Sequence, residues 1–412
     1  MTTNSTIGAT RPPDPVDWRS LVPVGAAVLV LSTTAFFRVP LLPDIGRDLA
    51  MTAAELGVIT SMFAAGRLLT DLPAGRMLER VEPTALLSGA AATMVAGSLA
   101  LAAAGQPTVA YLAAFLLGIA SAVANATGMH AFSVAVPTRR RGTSLAVFST
   151  ALLGGQSFGP LVGGGIASTS SWRIAEAVAG ALSAAVVGAM VWAWWRRRSA
   201  LADVGTAAAD DRSAAVKAED VEPVVGGASA RGALLGIAFA MFFTLGAVPQ
   251  TLISVIGADE LGLGVATIGL ALGLGGACRL IGGFVGGLLA DRVARRAALL
   301  PGLVLQAVGV ALVSGAGTAW WLAGIVLMSL ASWSISVSAT VLADLSPAGS
   351  LGPRLGGFRF VGDLGLIAGP LVAGQLYDHG GRVPAMLSAV VLLLLAAAWC
   401  AVSVPETRHA AN

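Results

Sequence analysis

The longest apolar runs of this chain carry arginines and aspartates at helical spacing. Arg67 and Asp71 stand four residues apart in RLLTD, and Arg359 and Asp363 repeat that spacing in RFVGD. Side chains at i and i+4 share one helix face, so each arginine can pair with its own aspartate. Such a pair can neutralise itself and tether neighbouring helices, or its aspartate can carry a proton. Arg38 and Arg279 have no acid at that spacing; Asp44 is the acid that could reach Arg38. Unpaired cations of this kind suit an anionic or polar ligand, or a carboxylate from another helix. His130, Glu176 and Asp344 complete the titratable set, and a lone histidine in an apolar helix serves packing or hydrogen bonding more readily than a relay. Gln250, Phe36, Phe37, Phe242, Phe243 and Trp333 could line an amphiphilic pocket.

The elements that hold these residues are set by composition. Mean hydropathy is +0.82, 56% of residues are hydrophobic and 11% charged, against about a quarter charged in water-soluble domains. Lipid is therefore the solvent. A charge inside it costs about 2.5–3.5 kcal/mol on insertion scales and needs a partner or a wet cavity. Cys278 and Cys400 lie in separate apolar runs, and the three histidines lack ligand spacing, so no disulfide, metal or cofactor is expected. The basic residues form short clusters between apolar runs, which fits membrane orientation and not nucleic acid. Residues 1–20 lack a signal-peptide pattern and read as a disordered cytoplasmic tail.

A bilayer core needs roughly 20 apolar residues per helix. Runs of that length fall near 21–43, 53–75, 85–104, 109–136, 143–166 and 174–195, then near 232–257, 265–290, 297–316, 320–343, 357–377 and 384–403. The predicted domains are an N-terminal bundle at 21–195, a polar cytoplasmic linker at 196–230, a C-terminal bundle at 231–403 and a tail at 404–412. With the N-terminus cytoplasmic, Arg47, Arg173 and Arg382 are the basic residues on the opposite side. Arg38, Arg67, Arg279 and Arg359 lie within spans, and every other arginine, with Lys217, falls on the cytoplasmic side. Trp192, Trp194 and Trp195 before Arg196 read as an interfacial belt, as do Trp320 and Trp321 at the other face. Lys217 is the only lysine, which points to a GC-rich bacterial source and so to the plasma (inner) membrane.

The two halves echo each other. RLLTDLPAGRMLERVEPT (67–84) returns 212 residues later as RLIGGFVGGLLADRVARR (279–296), and GQSFGPLVGG (155–164) returns 210 residues later as GLIAGPLVAG (365–374). Each half holds an even number of spans, so the copies enter the membrane in the same direction. The expected fold is an all-α membrane protein of twelve transmembrane helices, arranged as two six-helix bundles related by a pseudo-two-fold axis.

These residues resemble the major facilitator superfamily over about 21–403. GLLADRVARR (287–296) is similar to its loop signature through Gly287, Asp291, Arg292, Arg295 and Arg296. The first copy keeps Gly75 and Arg80 but has Glu79 for the aspartate, with Pro83 and Thr84 for the basic pair. The resemblance implies a latch: Asp291 would meet the start of span 5 near Gly142 and Thr143, and Glu79 the start of span 11 near Gly356 and Gly357. Free N–H groups and the macrodipole favour a carboxylate there. Basic loops of this kind also serve topology alone. Gly155, Gly159, Pro160 and Gly163 resemble the span 5 signature of exporters that exchange substrate for protons, with Gly369 and Pro370 as the second copy. FFRVPLLPDIGRDL (36–49) resembles the end of span 1 in drug exporters. The arginine that many proton-coupled exporters carry in span 4 is replaced by Ala114.

The resemblance implies a monomeric secondary transporter, not an enzyme, with both termini cytoplasmic. The leading expectation is proton-coupled efflux of a drug-like or amphiphilic metabolite by alternating access. The alternative is an uptake symporter or exchanger for an anionic metabolite, with Arg38, Arg67 and Arg279 as ligands. Arg67, Asp71, His130, Gln250, Arg359 and Asp363 remain candidates for proton or substrate contact. Arg67 and Arg279 could both meet a substrate between the bundles, or could be a relic of duplication that serves interhelix bonding.

Overall fold

The computed structural model describes residues 18–136, 140–202, 227–292, 295–346 and 351–406, and no strand occurs among them. The first six spans are α1 (Leu21–Asp48), α2 (Ala53–Arg80), α3 (Pro83–Ala102), α4 (Pro107–Val134), α5 (Arg141–Thr169) and α6 (Trp172–Ala202). The second six are α7 (Ala228–Glu260), α8 (Val265–Arg292), α9 (Arg295–Val313), α10 (Thr318–Asp344), α11 (Leu351–Gly380) and α12 (Arg382–Ser403). Eleven of these are long and apolar enough to cross a membrane. The twelfth, α2, carries Glu55, Arg67, Asp71, Arg76, Glu79 and Arg80 along its 28 residues. Helix α6 continues to Ala202, past the linker start expected at 196; residues 203–226 and both tails lie outside the described residues.

Local sequence sets where the helices begin and bend. Thr52 opens α2 with a capping box: its hydroxyl accepts from Glu55 N while Glu55 Oε2 accepts from Thr52 N. Prolines occupy the first position of α3 and α4, where a missing N–H costs nothing. Pro40 withdraws the donor that Phe36 O needs, and α1 breaks there into Trp18–Ala35 and Arg38–Asp48. Pro249 does the same to α7, which passes through a π-turn at Val248–Leu252. The turn after each opening span is left-handed at matched places, Ala50 (φ 53°) and Gly262 (φ 63°).

Each half has its own core. Leu31, Ile59, Leu87 and Leu117 are buried in the first, and Leu234, Ile253, Leu303 and Leu393 in the second. Val39 of α1 joins the second core and Val255 of α7 the first, where these two helices cross. The halves otherwise meet chiefly through two equivalent helix pairs, α2 with α11 and α5 with α8. Leu112, Leu395 and Val402 are exposed on outer faces, as lipid contact requires. Of the two tryptophans that open α10, Trp320 is exposed, but Trp321 is 1% exposed and packs in the core. Its large apolar surface fills the space beside Gly257 and Ile268 instead of joining a belt.

Candidate functional site

A cavity of ≈ 320 Å³ lies between the bundles. Phe36, Phe63, Phe242 and Trp333 form its apolar wall, and Asn125, Gln156, Gln250 and Gln306 bring polar ends. Its cations are Arg67, Arg279 and Arg359, one on α2 and one each on α8 and α11. A recess of ≈ 40 Å³ continues between Ser157 and Pro160 of α5 and Gly275, Gly276 and Arg279 of α8. An amphiphile fits such a wall, with its polar end directed by a few hydrogen-bonding groups.

The cavity is sealed on the face opposite the termini. There the repeat acts twice. A Cβ on Gly57 of α2 would stand 2.4 Å from Pro370 O, and one on Gly269 of α8 would stand 2.4 Å from Pro160 O. Only glycine allows backbones to approach so closely. Asp378 at the end of α11 accepts hydrogen bonds from Ala53 N (3.0 Å) and Ala54 N (2.9 Å), capping α2 across the bundle interface. Arg173 pairs with Asp48 at 2.8 Å and Arg382 with Glu260 at 3.3 Å, the same corner in each half. Arg47 joins Asp44 at 2.7 Å, so Asp44 does not serve Arg38.

Beneath this seal lies a buried polar layer. Arg38 is fully buried, with its Nη2 donating to Gln250 Oε1 at 3.4 Å and its guanidinium 4.3 Å from the Phe63 ring centroid. Thr60 Oγ1 donates to Gln250 O, Thr251 Oγ1 to Thr60 Oγ1, and Ser254 Oγ to Val39 O. Each of these bonds crosses between the halves. Fully buried Glu176 of α6 is the acid whose charge acts on Arg38, a role its position at a span start did not suggest.

On the termini side the halves stand apart. A Cβ on Gly142, Gly287, Gly356 or Gly357 would meet nothing within 4 Å. The expected latch partners, the Asp291 and Glu79 side chains, lie outside the described residues. Arg80 and Arg292 are exposed. Arg295 forms an ion pair with Asp344, and Arg296 donates to Ala401 O. Glu406 accepts from Arg295 N at 2.9 Å and Arg296 N at 3.1 Å, capping α9. This basic pair therefore fastens α9, α10 and α12 within one bundle.

The expected i,i+4 pairs do not form as such. Asp71 is taken by Arg359 of the opposite bundle, Nε to Oδ2 at 2.9 Å. Arg67 instead donates to Ser121 Oγ of α4 at 3.0 Å. Asp363 is 1% exposed, and neither carboxylate oxygen receives a hydrogen bond. These four residues nonetheless form one cluster, because Asp363 feels the charges of Arg67, Arg359 and Asp71. Arg279 has no ion pair or side-chain hydrogen bond among the described residues. The repeat mates of Asp71 and Asp363 are Gly283 and Leu153, so the second interface kept the arginine and lacks the acids. His130 is absent from the cavity lining.

Most GP-motif glycines serve packing within each bundle, while Gly164 and Gly374 lie against α8 and α2 of the opposite bundle. Gly155, Gly159 and Gly163 lie against Leu29, Thr33 and Phe37 of α1, and Gly365 and Gly369 against Phe239 and Phe243 of α7. Pro160 and Pro370 then present their carbonyls to the opposite bundle. Sequence reasoning missed Asp378, Glu406 and Ser121; an acid at a helix end and a serine in an apolar run carry no spacing that distinguishes them.

Over residues 24–256 and 232–412 the sequence matches the family model described as Major Facilitator Superfamily. No curated protein matches it in sequence. Among solved structures it resembles a bacterial homologue of the human lysosomal transporter Spinster in an inward-facing and occupied conformation. The TM-score is 0.75 at 16% identity, covering 95% of this chain and 97% of that one. An inward-facing, unoccupied structure of such a homologue gives 0.72 at 15% identity, covering 94% and 97%. At these identities the likeness is one of fold.

Proposed function

Because this chain belongs to the major facilitator superfamily, and so is a multi-pass membrane transporter of a small molecule and not an enzyme, we propose that its substrate is a small organic anion. The observation that carries this reading is Arg279. Among the described residues it lines the cavity without a protein acid, while the charges of Arg67 and Arg359 are balanced by Asp71 and Asp363. A neutral or cationic substrate would leave that guanidinium uncompensated in a lipid-embedded site. A carboxylate or similar group with an apolar body answers both Arg279 and the Phe36, Phe63, Phe242 and Trp333 wall.

The transporter works as a monomer in the bacterial plasma membrane, with both termini cytoplasmic, by rocking its bundles about the midplane cavity. Its present form is then closed outside and open inside. Proton-coupled efflux of a drug-like or amphiphilic metabolite, the reading suggested by the span 5 motif, has less support, since it assigns no partner to Arg279.

The test is flux in proteoliposomes of purified protein, using aryl and alkyl monocarboxylates beside neutral and cationic analogues. Anion transport that falls at least tenfold in Arg279→Gln, with partial recovery in Arg279→Lys, supports the reading. Equal transport of the neutral analogues, or an unaffected Arg279→Gln, overturns it.

A further inference from the structure

We propose that the transported anion carries a hydroxyl group close to its charge, and that Gln306 of α9 reads that hydroxyl. The charge rests on the anion reading; the hydroxyl rests on Gln306.

Gln306 stands where a membrane span has no need of it. It is the only polar side chain between Arg296 and Ser314, and a polar group at that depth has to find a partner. Its repeat mate, 212 residues earlier, is Met94, fully buried in the first core. The register is sound, because Gly309 and its mate Gly97 each admit a neighbouring helix, α10 and α4. One half of the molecule therefore fills this place with an apolar side chain of similar length. In the other half an amide stands there, 6% exposed, and among the described residues no donor reaches its Oε1.

Packing explains how the amide meets the cavity. Helix α9 packs within its own bundle, on α8, α10 and α12. Gly302 and Gly309, one turn to either side of Gln306, let α9 close on α10 at Trp333 and Ser334 and again at Met328. The glutamine between them reaches the cavity beside Met328, Ser329, Ser332 and Trp333. Nearby donors are already spent: Trp333 Nε1 donates to Ala298 O, Ser332 Oγ to Ser329 O and Ser334 Oγ to Leu299 O. Arg279 arrives from α8 at the same level of α10, since Gly275, one turn before it, rests against Ile325 and Ser329.

These two side chains divide the ligand between them. The Arg279 guanidinium takes the carboxylate, and Gln306 takes a group that stands beside it. A hydroxyl suits the amide in either orientation, because it both donates and accepts. A ligand that fills the cavity without such a group strips water from Gln306 and leaves its carbonyl unpaired. A site built to bond a hydroxyl rejects the analogue that lacks it more sharply than an apolar pocket rejects a change of size.

Flux in proteoliposomes of the full chain tests this, with benzoate and its ortho, meta and para hydroxy derivatives as probes. The wild type should move one hydroxylated isomer with a kcat/KM at least about tenfold above that of benzoate, and in Gln306→Met that ratio should fall to near one. A ratio unchanged in the variant, or a wild type that prefers no isomer to benzoate, overturns the proposal. Arg279→Gln should depress all the probes together; if it depresses none, the anion reading fails while the ratio still judges Gln306. Thermal melting of the ligand-free protein separates reading from folding. Gln306→Met should melt at or above the wild-type temperature, as the methionine at Met94 serves the first half. A melting temperature lowered by several degrees would assign the amide to the fold and overturn its role as a reader.

Discussion

Arg38 and Gln250 are 212 residues apart, one repeat, and they touch: Arg38 Nη2 donates to Gln250 Oε1 at 3.4 Å. A residue that meets its own repeat mate lies on the pseudo-two-fold axis. The breaks caused by Pro40 and Pro249 bring both helices to that axis, and the contact sits between the cavity and the sealed face. Rocking of the bundles must therefore turn about, or break, this pair.

Arg38 also balances Glu176, which has no hydrogen-bond donor of its own. Arg38→Gln should lower thermal stability in detergent by about 1–3 kcal/mol, because it removes the cation that faces the buried Glu176 carboxyl and the donor to Gln250. Adding Glu176→Gln should recover most of the loss. A double variant less stable than Arg38→Gln would show that the two charges do not compensate.

Gly57 and Gly269 permit the seal. A leucine at either place drives a side chain into Pro370 O or Pro160 O, each 2.4 Å from the Cβ position. Both variants should insert with ordinary yield and lose transport, because the sealed conformation is blocked. Wild-type flux in Gly269→Leu would contradict this role.

The Asp71–Arg359 bond joins the bundles, and both side chains are partly exposed, so its worth is modest. A double-mutant cycle with Asp71→Asn and Arg359→Gln should give a coupling energy of about 1 kcal/mol in thermal unfolding. Strict additivity would mean that the pair contributes no stability.

Ala50 holds a left-handed conformation (φ 53°) where its repeat mate is Gly262 (φ 63°). That conformation costs a residue with Cβ roughly 1–2 kcal/mol. Ala50→Gly should stabilise the protein by up to about 1 kcal/mol, once the added freedom of glycine in the unfolded chain is subtracted. A lower melting temperature in this variant would show that the methyl contributes packing that offsets the strain.

The spans and the repeat were legible because hydropathy and spacing are properties of the chain itself. The placement of Arg67 and Arg279 at matching depth, and of Gln250 at the cavity, followed from the same reading. Pairing was not legible. Asp71 has an arginine one helical turn away, yet the partner it takes comes from 288 residues along the chain. Asp378 had no part in the sequence reading, yet its carboxylate caps the first turn of α2. Carboxylate capping of a helix across the bundles was expected on the termini side, and among the described residues it is found on the opposite side. Both outcomes depend on which helices the fold sets side by side, and local periodicity holds no record of that.

The reciprocal motion of the two faces is the central claim, and paired spin labels read it directly. One pair replaces the repeat mates Arg80 and Arg292 on the termini face; the other replaces Thr169 and His379 on the sealed face, all four being exposed. On adding a transported anion, the first distance should shorten in the same fraction of molecules in which the second lengthens. Distances that change together in the same sense, or neither changing in protein shown to transport, would contradict alternating access by these bundles.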